Sequence, residues 1–164
     1  MNIIAAVDRN WGIGYQNRLL FSIPEDMKFF REMTTGNVVV MGRKTLESFP
    51  HKKPLKNRVN IVLTGDPCWQ AEGAVVVHSV EEALSAVSGY ASENVYVIGG
   101  ESVYRQFLPH CDTAHITYMD HAFRADTYFP DLDDDPEWEI SAESEKRTFN
   151  DVEYCFRTYA RKKK

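Results

Sequence analysis

Three observations predict a three-layer α/β sandwich built on a mainly parallel sheet. Short β-branched runs recur along the chain, helical patterns stand between most of them, and glycine or polar residues close the runs. Strands that alternate with helices are joined by crossovers, which makes their pairing parallel and covers both faces of the sheet. With 43% hydrophobic and 26% charged residues in 164 positions, the composition is that of a soluble globular chain. One domain over residues 1–164 is expected.

Ile3 to Val7 opens the chain as a buried strand. Pro24 to Met33 reads as a helix, with Ser22 at the N-cap, Pro24 in the first turn and Glu25 three after Ser22, the pattern of a capping box. Val38 to Met41 is a strand and Thr45 to Phe49 a short helix; Val59 to Leu63 and Ala74 to Val77 are strands. Val80 to Val87 follows as a helix, Val95 to Ile98 as a strand and Glu101 to Leu108 as a helix. His115 to Met119 and Val152 to Tyr159 alternate more strongly. They read as strands that follow no helix, which predicts an antiparallel edge. Arg161 to Lys164 is expected to be a frayed, solvated tail.

The net charge of −5 argues against a nucleic-acid partner, but the charge is unevenly spread. Residues 43–58 carry Arg43, Lys44, Lys52, Lys53, Lys56 and Arg58 against Glu47 alone, a local +5. Residues 131–145 carry eight carboxylates and no Lys or Arg. Both runs also suit plain solvated faces. The apolar runs are far shorter than the roughly 18 residues that span a membrane. The first residues lack the basic start of a signal peptide, and three widely spaced cysteines suit a reducing compartment, so a cytoplasmic address is expected. No histidines pair at helical spacing, and no metal site is expected.

In open α/β sheets ligands bind beyond the carboxyl ends of the strands. Three such joints stand out. Val95 to Ile98 runs into Gly99-Gly100 and a helix, which lets a ligand approach the backbone, although a Gly-Gly pair also makes a plain tight turn. Val38 to Met41 leads through Gly42 to Arg43, Lys44 and Thr45, two cations and a hydroxyl suited to phosphates. Ile61 to Leu63 ends in Thr64-Gly65. Together they suggest an extended phosphorylated ligand, most naturally a dinucleotide. Asp26 is the other anomaly. A first-turn Asp often serves only as a dipole partner in water. Here Asp26, Phe30 and Met33 fall at i, i+4 and i+7, so the carboxylate shares a face with large apolar side chains. A carboxylate there is costly unless something pairs with it, and a ligand with adjacent N–H donors would do so.

The islands Ile4-Ala5-Ala6, Gly12-Ile13-Gly14, Ile23-Pro24-Glu25-Asp26-Met27 and Val40-Met41-Gly42-Arg43-Lys44-Thr45 stand in one order with Pro54-Leu55, Arg58, Val97-Ile98-Gly99-Gly100 and Asp126-Thr127-Tyr128-Phe129-Pro130. In these the chain resembles bacterial dihydrofolate reductases over nearly its whole length. The resemblance implies a central, mainly parallel eight-stranded sheet with an antiparallel C-terminal edge and about four flanking helices. It implies NADPH-dependent reduction of 7,8-dihydrofolate to 5,6,7,8-tetrahydrofolate, by hydride transfer to pterin C6 and protonation at N5, in a monomer with no nucleic-acid or membrane partner. By resemblance Asp26 is the catalytic acid that binds the pterin. Ile4, Ala5, Met27, Phe30, Phe49, Leu55 and Ile98 line the substrate pocket, Arg58 pairs with the α-carboxylate of the glutamate tail, and Thr117 supports the acid. Ala6, Ile13 and Gly14 meet the nicotinamide end. Tyr104 lies close to the nicotinamide, and Gly42, Arg43, Lys44, Thr45, Thr64, Gly99, Gly100, Glu101, Ser102 and Val103 hold the rest of the cofactor. Residues 10–19 resemble a mobile loop that closes over the nicotinamide, and Gly99-Gly100 a cis peptide. Leu20, Phe21, Ala125 and Ser102 depart from the residues frequent in the family. The related reductase of riboflavin synthesis would not be expected to combine Asp26 with Arg58, and a nucleotide-binding regulatory module would need neither.

Overall fold

A computed structural model describes residues 1–162, and the strands run in chain order as β1 (Asn2–Val7), β2 (Gly12–Tyr15), β3 (Arg18–Leu19), β4 (Val38–Gly42), β5 (Val59–Leu63), β6 (Ala74–Val77), β7 (Val95–Gly99), β8 (Thr113–Met119), β9 (Thr127–Tyr128), β10 (Trp138–Glu143), β11 (Arg147–Phe149) and β12 (Val152–Arg161). The helices are α1 (Pro24–Thr34), α2 (Arg43–Glu47), α3 (Val80–Val87) and α4 (Glu101–Phe107). Every strand and helix expected from the β-branched runs and helical patterns is present, with ends within two residues.

The main sheet has the order β10-β12-β8-β1-β7-β4-β5-β6, with β11 added beside β12. From β8 to β6 all neighbours are parallel. The pleat divides the apolar runs between two faces. Ile3, Val38, Val40, Ile61 and Val97 point into one core with Ala83, Val87, Val103 and Phe107 from α3 and α4. Ile4, Val39, Met41, Val62 and Tyr96 point into the other, beneath Phe30 and Met33 of α1 and Leu46 of α2. This is the expected three-layer sandwich. Phe107 is fully buried under the sheet, so Phe107→Ala is expected to cost about 3–5 kcal/mol in denaturant unfolding. A loss below about 1 kcal/mol would contradict this core.

The C-terminal edge is not built from both of the last two expected strands. β8 is parallel to β1, pairing Ile4 with His115 and Ala6 with Thr117. Its parallel sense follows from α4, which carries the chain back across the sheet before β8 begins. The antiparallel pairings of the described main sheet are all made by β12, with β8, β10 and β11. The true edge, β10, lies inside the acidic run; Trp138 alone is buried there and the next five residues face water.

Two terminal expectations also change. Ser22 does not cap α1: Ile23 is the N-cap, extended at φ −109° and ψ 119°, with no side-chain bond. The residue before a proline is pushed into the β region, so Pro24 fixes the helix start one residue after Ser22 could set it. Ser79, by contrast, caps α3, its Oγ accepting from Glu82 N at 3.1 Å. Arg161 is not frayed. It donates to the carbonyls of Leu108 and Cys111 and lies over the Trp138 ring, and Lys162 N bonds Glu137 O. Lys163 and Lys164 lie outside the described residues.

Candidate functional site

The C-terminal ends of β7, β4 and β5 lie side by side, which brings the three suspected joints onto one edge. The Gly99–Gly100 peptide is cis, and Gly99 has φ +127°, a region that side chains rarely adopt. A Cβ on Gly42 would come within 3.1 Å of Val103, and one on Gly100 within 3.5 Å of Thr45 Oγ1. The β4–α2 and β7–α4 turns therefore form one cradle into which backbone, and not side chain, is presented. At its outer end Arg43 lies over the Trp69 ring, 5.2 Å from the centroid, and 3.4 Å from both Glu47 and Asp66. Its buried Nε forms no hydrogen bond, even though Glu47 Oε1 stands in ion-pair range. Lys44 is exposed beside it. Thr64 Oγ1 accepts from Asp66 N and closes the third joint. Backbone cradle, unsatisfied guanidinium N–H and neighbouring cation are a donor set that fits an extended polyanion.

Asp26 lies across β1 from this cradle. Thr117 donates to Asp26 Oδ1 at 2.6 Å from β8. Among the described residues no cation pairs with it. Burial raises the Asp26 carboxyl above its ordinary value, and the Thr117 bond lowers it in part. Tyr104 donates to Ile4 O at 2.7 Å; burial, and then the Asp26 charge, push its hydroxyl further from ionisation. The Tyr104 phenol thus joins the Ile4 carbonyl of β1 and lies within reach of the Asp26 charge. That set of acceptors would match the edge of a flat heterocycle rich in N–H donors.

Among the expected wall residues, Ile4, Phe30, Phe49, Leu55 and Ile98 form one apolar cluster on the α1 side. Ala5 and Ile13 pack against the core beneath α4, and Ala6 near Phe21 and Ile23. Met27 belongs to none of these clusters and is 47% exposed. Arg58 is half-buried, with Nη1 donating to Thr34 Oγ1 at 3.1 Å and Nε to Lys56 O at 2.9 Å. Among the described residues no carboxylate pairs with it. Burial and then the nearby Arg31 charge weaken its hold on the proton. Two of the expected cofactor contacts are engaged within the fold: Glu101 accepts from Tyr128 N at 2.5 Å, and Ser102 Oγ accepts from Gln106.

Residues 10–19 contain β2 and β3, and β2 pairs with both β3 and β9 in a separate three-stranded sheet. Asp8, absent from the sequence-based expectations, anchors it. Asp8 Oδ1 accepts from Asn10 N and Gly12 N, and Oδ2 from Phe123 N. Asn17 Nδ2 reaches Lys44 O at 3.1 Å and joins this sheet to α2. The Asp8–Gly12 spacing is the one local signal of the turn; the reach of Asn17 has none.

A family model described as dihydrofolate reductase matches residues 1–161. The dihydrofolate reductase of Bacillus subtilis is 36% identical, covering 99% of this chain and 95% of its own. That of Staphylococcus aureus is 35% identical over 99% of both. The Daucus carota bifunctional dihydrofolate reductase-thymidylate synthase is 38% identical over 97% of this chain and 33% of its own. The structure of the Enterococcus faecalis dihydrofolate reductase complexed with NADP(H) and RAB-propyl superposes with a TM-score of 0.88, at 38% identity, covering 99% of this chain and 96% of that one. The chain belongs to the dihydrofolate reductase family.

Two departures from residues frequent in dihydrofolate reductases have structural settings. Phe21 packs edge-on to Phe123, 5.5 Å between centroids, and against Phe149, so an aromatic cluster fills that place. The methyl of Ala125 lies where a Cβ on Gly12 would be 2.7 Å away, so Ala125 packs directly onto the Gly12 backbone. Nothing in the structure explains Leu20.

Proposed function

We infer that the chain reduces 7,8-dihydrofolate to 5,6,7,8-tetrahydrofolate, consuming one NADPH and one proton. The observation that carries this is Asp26, a half-buried carboxylate held by Thr117 and paired with no cation among the described residues. When bound, NADPH supplies the hydride that reduces pterin C6. The chain's own residues do the rest. Asp26 accepts from the pterin 2-amino group and N3, and promotes protonation at N5, with water as the immediate donor. Thr117 fixes the orientation of that carboxylate. Ile4, Ala5, Met27, Phe30, Phe49, Leu55 and Ile98 wall the pocket, excluding water from the reacting face. Arg58, lacking a carboxylate of its own among the described residues, pairs with the α-carboxylate of the tail. Gly42, Gly99, Gly100, Glu101, Ser102 and Val103 form the cradle for the cofactor. Arg43, Lys44, Thr45 and Thr64 hold its phosphates, and Ala6, Ile13, Gly14 and Tyr104 its nicotinamide end.

The accompanying reading is one domain over 1–164, a cytoplasmic monomer acting on small molecules, with no nucleic-acid or membrane partner. In support, the basic stretch at 43–58 is taken up by cofactor and substrate anions, and no helix of the described residues is long and apolar enough to cross a membrane. The test follows NADPH absorbance with and without dihydrofolate. Oxidation that depends on dihydrofolate is expected; none at any substrate concentration would refute the reaction.

A further inference from the structure

Asp26 stands in the first turn of α1, and the position of that turn is set from outside the pocket. Glu25, its neighbour, is ion-paired with Arg147 of β11. Arg147 also donates Nε to Glu145 at 3.1 Å and pairs Nη2 with it at 2.8 Å, and its guanidinium lies over the Phe156 ring, 5.4 Å from the centroid. Phe156 is the register partner of Thr117 on the neighbouring strand, so the two side chains share one face of the sheet. The same ring packs on Phe29 of α1 with centroids 4.9 Å apart. Two residues further along β11, Phe149 packs on Phe21, just ahead of α1.

Arg147 thus contacts a neighbour of each support of the Asp26 carboxylate, Glu25 beside it on α1 and Phe156 opposite Thr117. One route runs through Glu25 to the helix turn that carries it. The other runs through Phe156 to the strand position beside its hydroxyl partner. A lone exposed ion pair fixes little, because two long side chains wander. Here the guanidinium fork is held by two carboxylates and an aromatic face at once, which leaves it one orientation. The 11 residues of α1 have no side-chain cap, so this contact supplies at the N-terminus a restraint that capping does not.

We propose that Arg147 is a positioning residue for the reduction, holding the first turn of α1 against β8 so that the Asp26 carboxylate and the Thr117 hydroxyl stay in register with the bound pterin. It touches neither substrate nor cofactor. The proposal rests on the reaction inferred above. Carboxylate misalignment of a fraction of an ångström is enough to slow a positioned proton-transfer step.

The test uses Arg147→Gln, Glu25→Gln, the double variant and Arg147→Lys in the full chain. Arg147→Gln is expected to lower kcat by about fivefold with a smaller rise in KM, and to weaken cofactor-free binding of dihydrofolate, read by tryptophan fluorescence, by about threefold. Glu25→Gln is expected to give a similar loss, and the double variant no further loss, because both remove one tether. Lysine keeps the charge without the fork and is expected to restore part of kcat. A fall in melting temperature alone, with kcat, KM and binding all within the error of the parent, would overturn the positioning role. So would additive losses in the double variant. The parent is assayed first: if it turns over dihydrofolate while Arg147→Gln is unchanged, only this inference fails. If the parent does not turn over, the reaction reading fails and takes this one with it.

Discussion

Asp26→Asn loses about two to three orders of magnitude in kcat at neutral pH, the size of a general acid–base contribution, and its melting temperature rises at the same pH. The two effects share one cause. Burial raises the Asp26 carboxyl above its ordinary value, and the Thr117 hydroxyl offsets only part of that. The fold therefore resists the ionised form. The proton on Asp26 contributes stability that is fully present below its ordinary value and is lost as the pH climbs through the raised one. Asparagine keeps an acceptor for Thr117 and never ionises, so its advantage in stability appears above the raised value and vanishes in acid. The deficit in rate narrows toward acid too, since solvent protons then reach N5 without the carboxylate. Profiles of kcat and of melting temperature against pH, for both proteins, check this. Activity within tenfold of the parent at neutral pH, or a melting temperature lowered throughout, would count against the role given to Asp26.

Arg43→Ala weakens NADPH by about thirtyfold, equivalent to about 2 kcal/mol for a charge-assisted hydrogen bond, and leaves NADH nearly unchanged. The Arg43 side chain is preorganised by Trp69, Glu47 and Asp66, and its buried Nε still has a hydrogen bond to give. A phosphate on the adenosine ribose is the group that distinguishes the two cofactors, and a fixed guanidinium suits it better than the exposed Lys44 ammonium. The two surface ion pairs lost with Arg43 are each worth about 0–1 kcal/mol, so the fold tolerates the change. Fluorescence titration with both cofactors separates the outcomes. An equal loss for NADPH and NADH would remove the assignment of Arg43 to that phosphate.

How much of this is legible before folding depends on how locally each residue's reason is written. Val38 to Met41 and Val95 to Ile98 can hardly be anything but buried strands, because continuous β-branched runs have no other use in a water-soluble chain. Asp26 betrays itself by helical spacing alone, with Phe30 and Met33 on its face. Thr117, which holds it, lies 91 residues away, and only the family resemblance pairs them. β10 hides because its solvent face is Glu139, Ser141 and Glu143, and a charged strand reads like a charged loop. β2 and β9 exist through Asp8 and Asp126, whose carboxylates bond backbone N–H groups. Their strands are too short for any periodicity. Arg147 is the extreme case. Glu145 stands two residues before it, but its other partners, Glu25 and Phe156, lie on a distant helix and the next strand, and no local pattern joins the three.

β1 precedes every other described strand in the chain, yet it lies in the middle of the sheet, with Ile3 paired to Val97 on one side and Ala114 on the other. The growing chain therefore cannot assemble in the order it is made. Until β7 emerges, β1 has two open edges, and fragments ending earlier leave Ile3 and Val7 without the core that buries them. Closing the loop from β1 to β8 also incurs its entropic cost in one late step. Asp26 gains its hydroxyl partner only when β8 docks, so the pocket and the sheet are completed together.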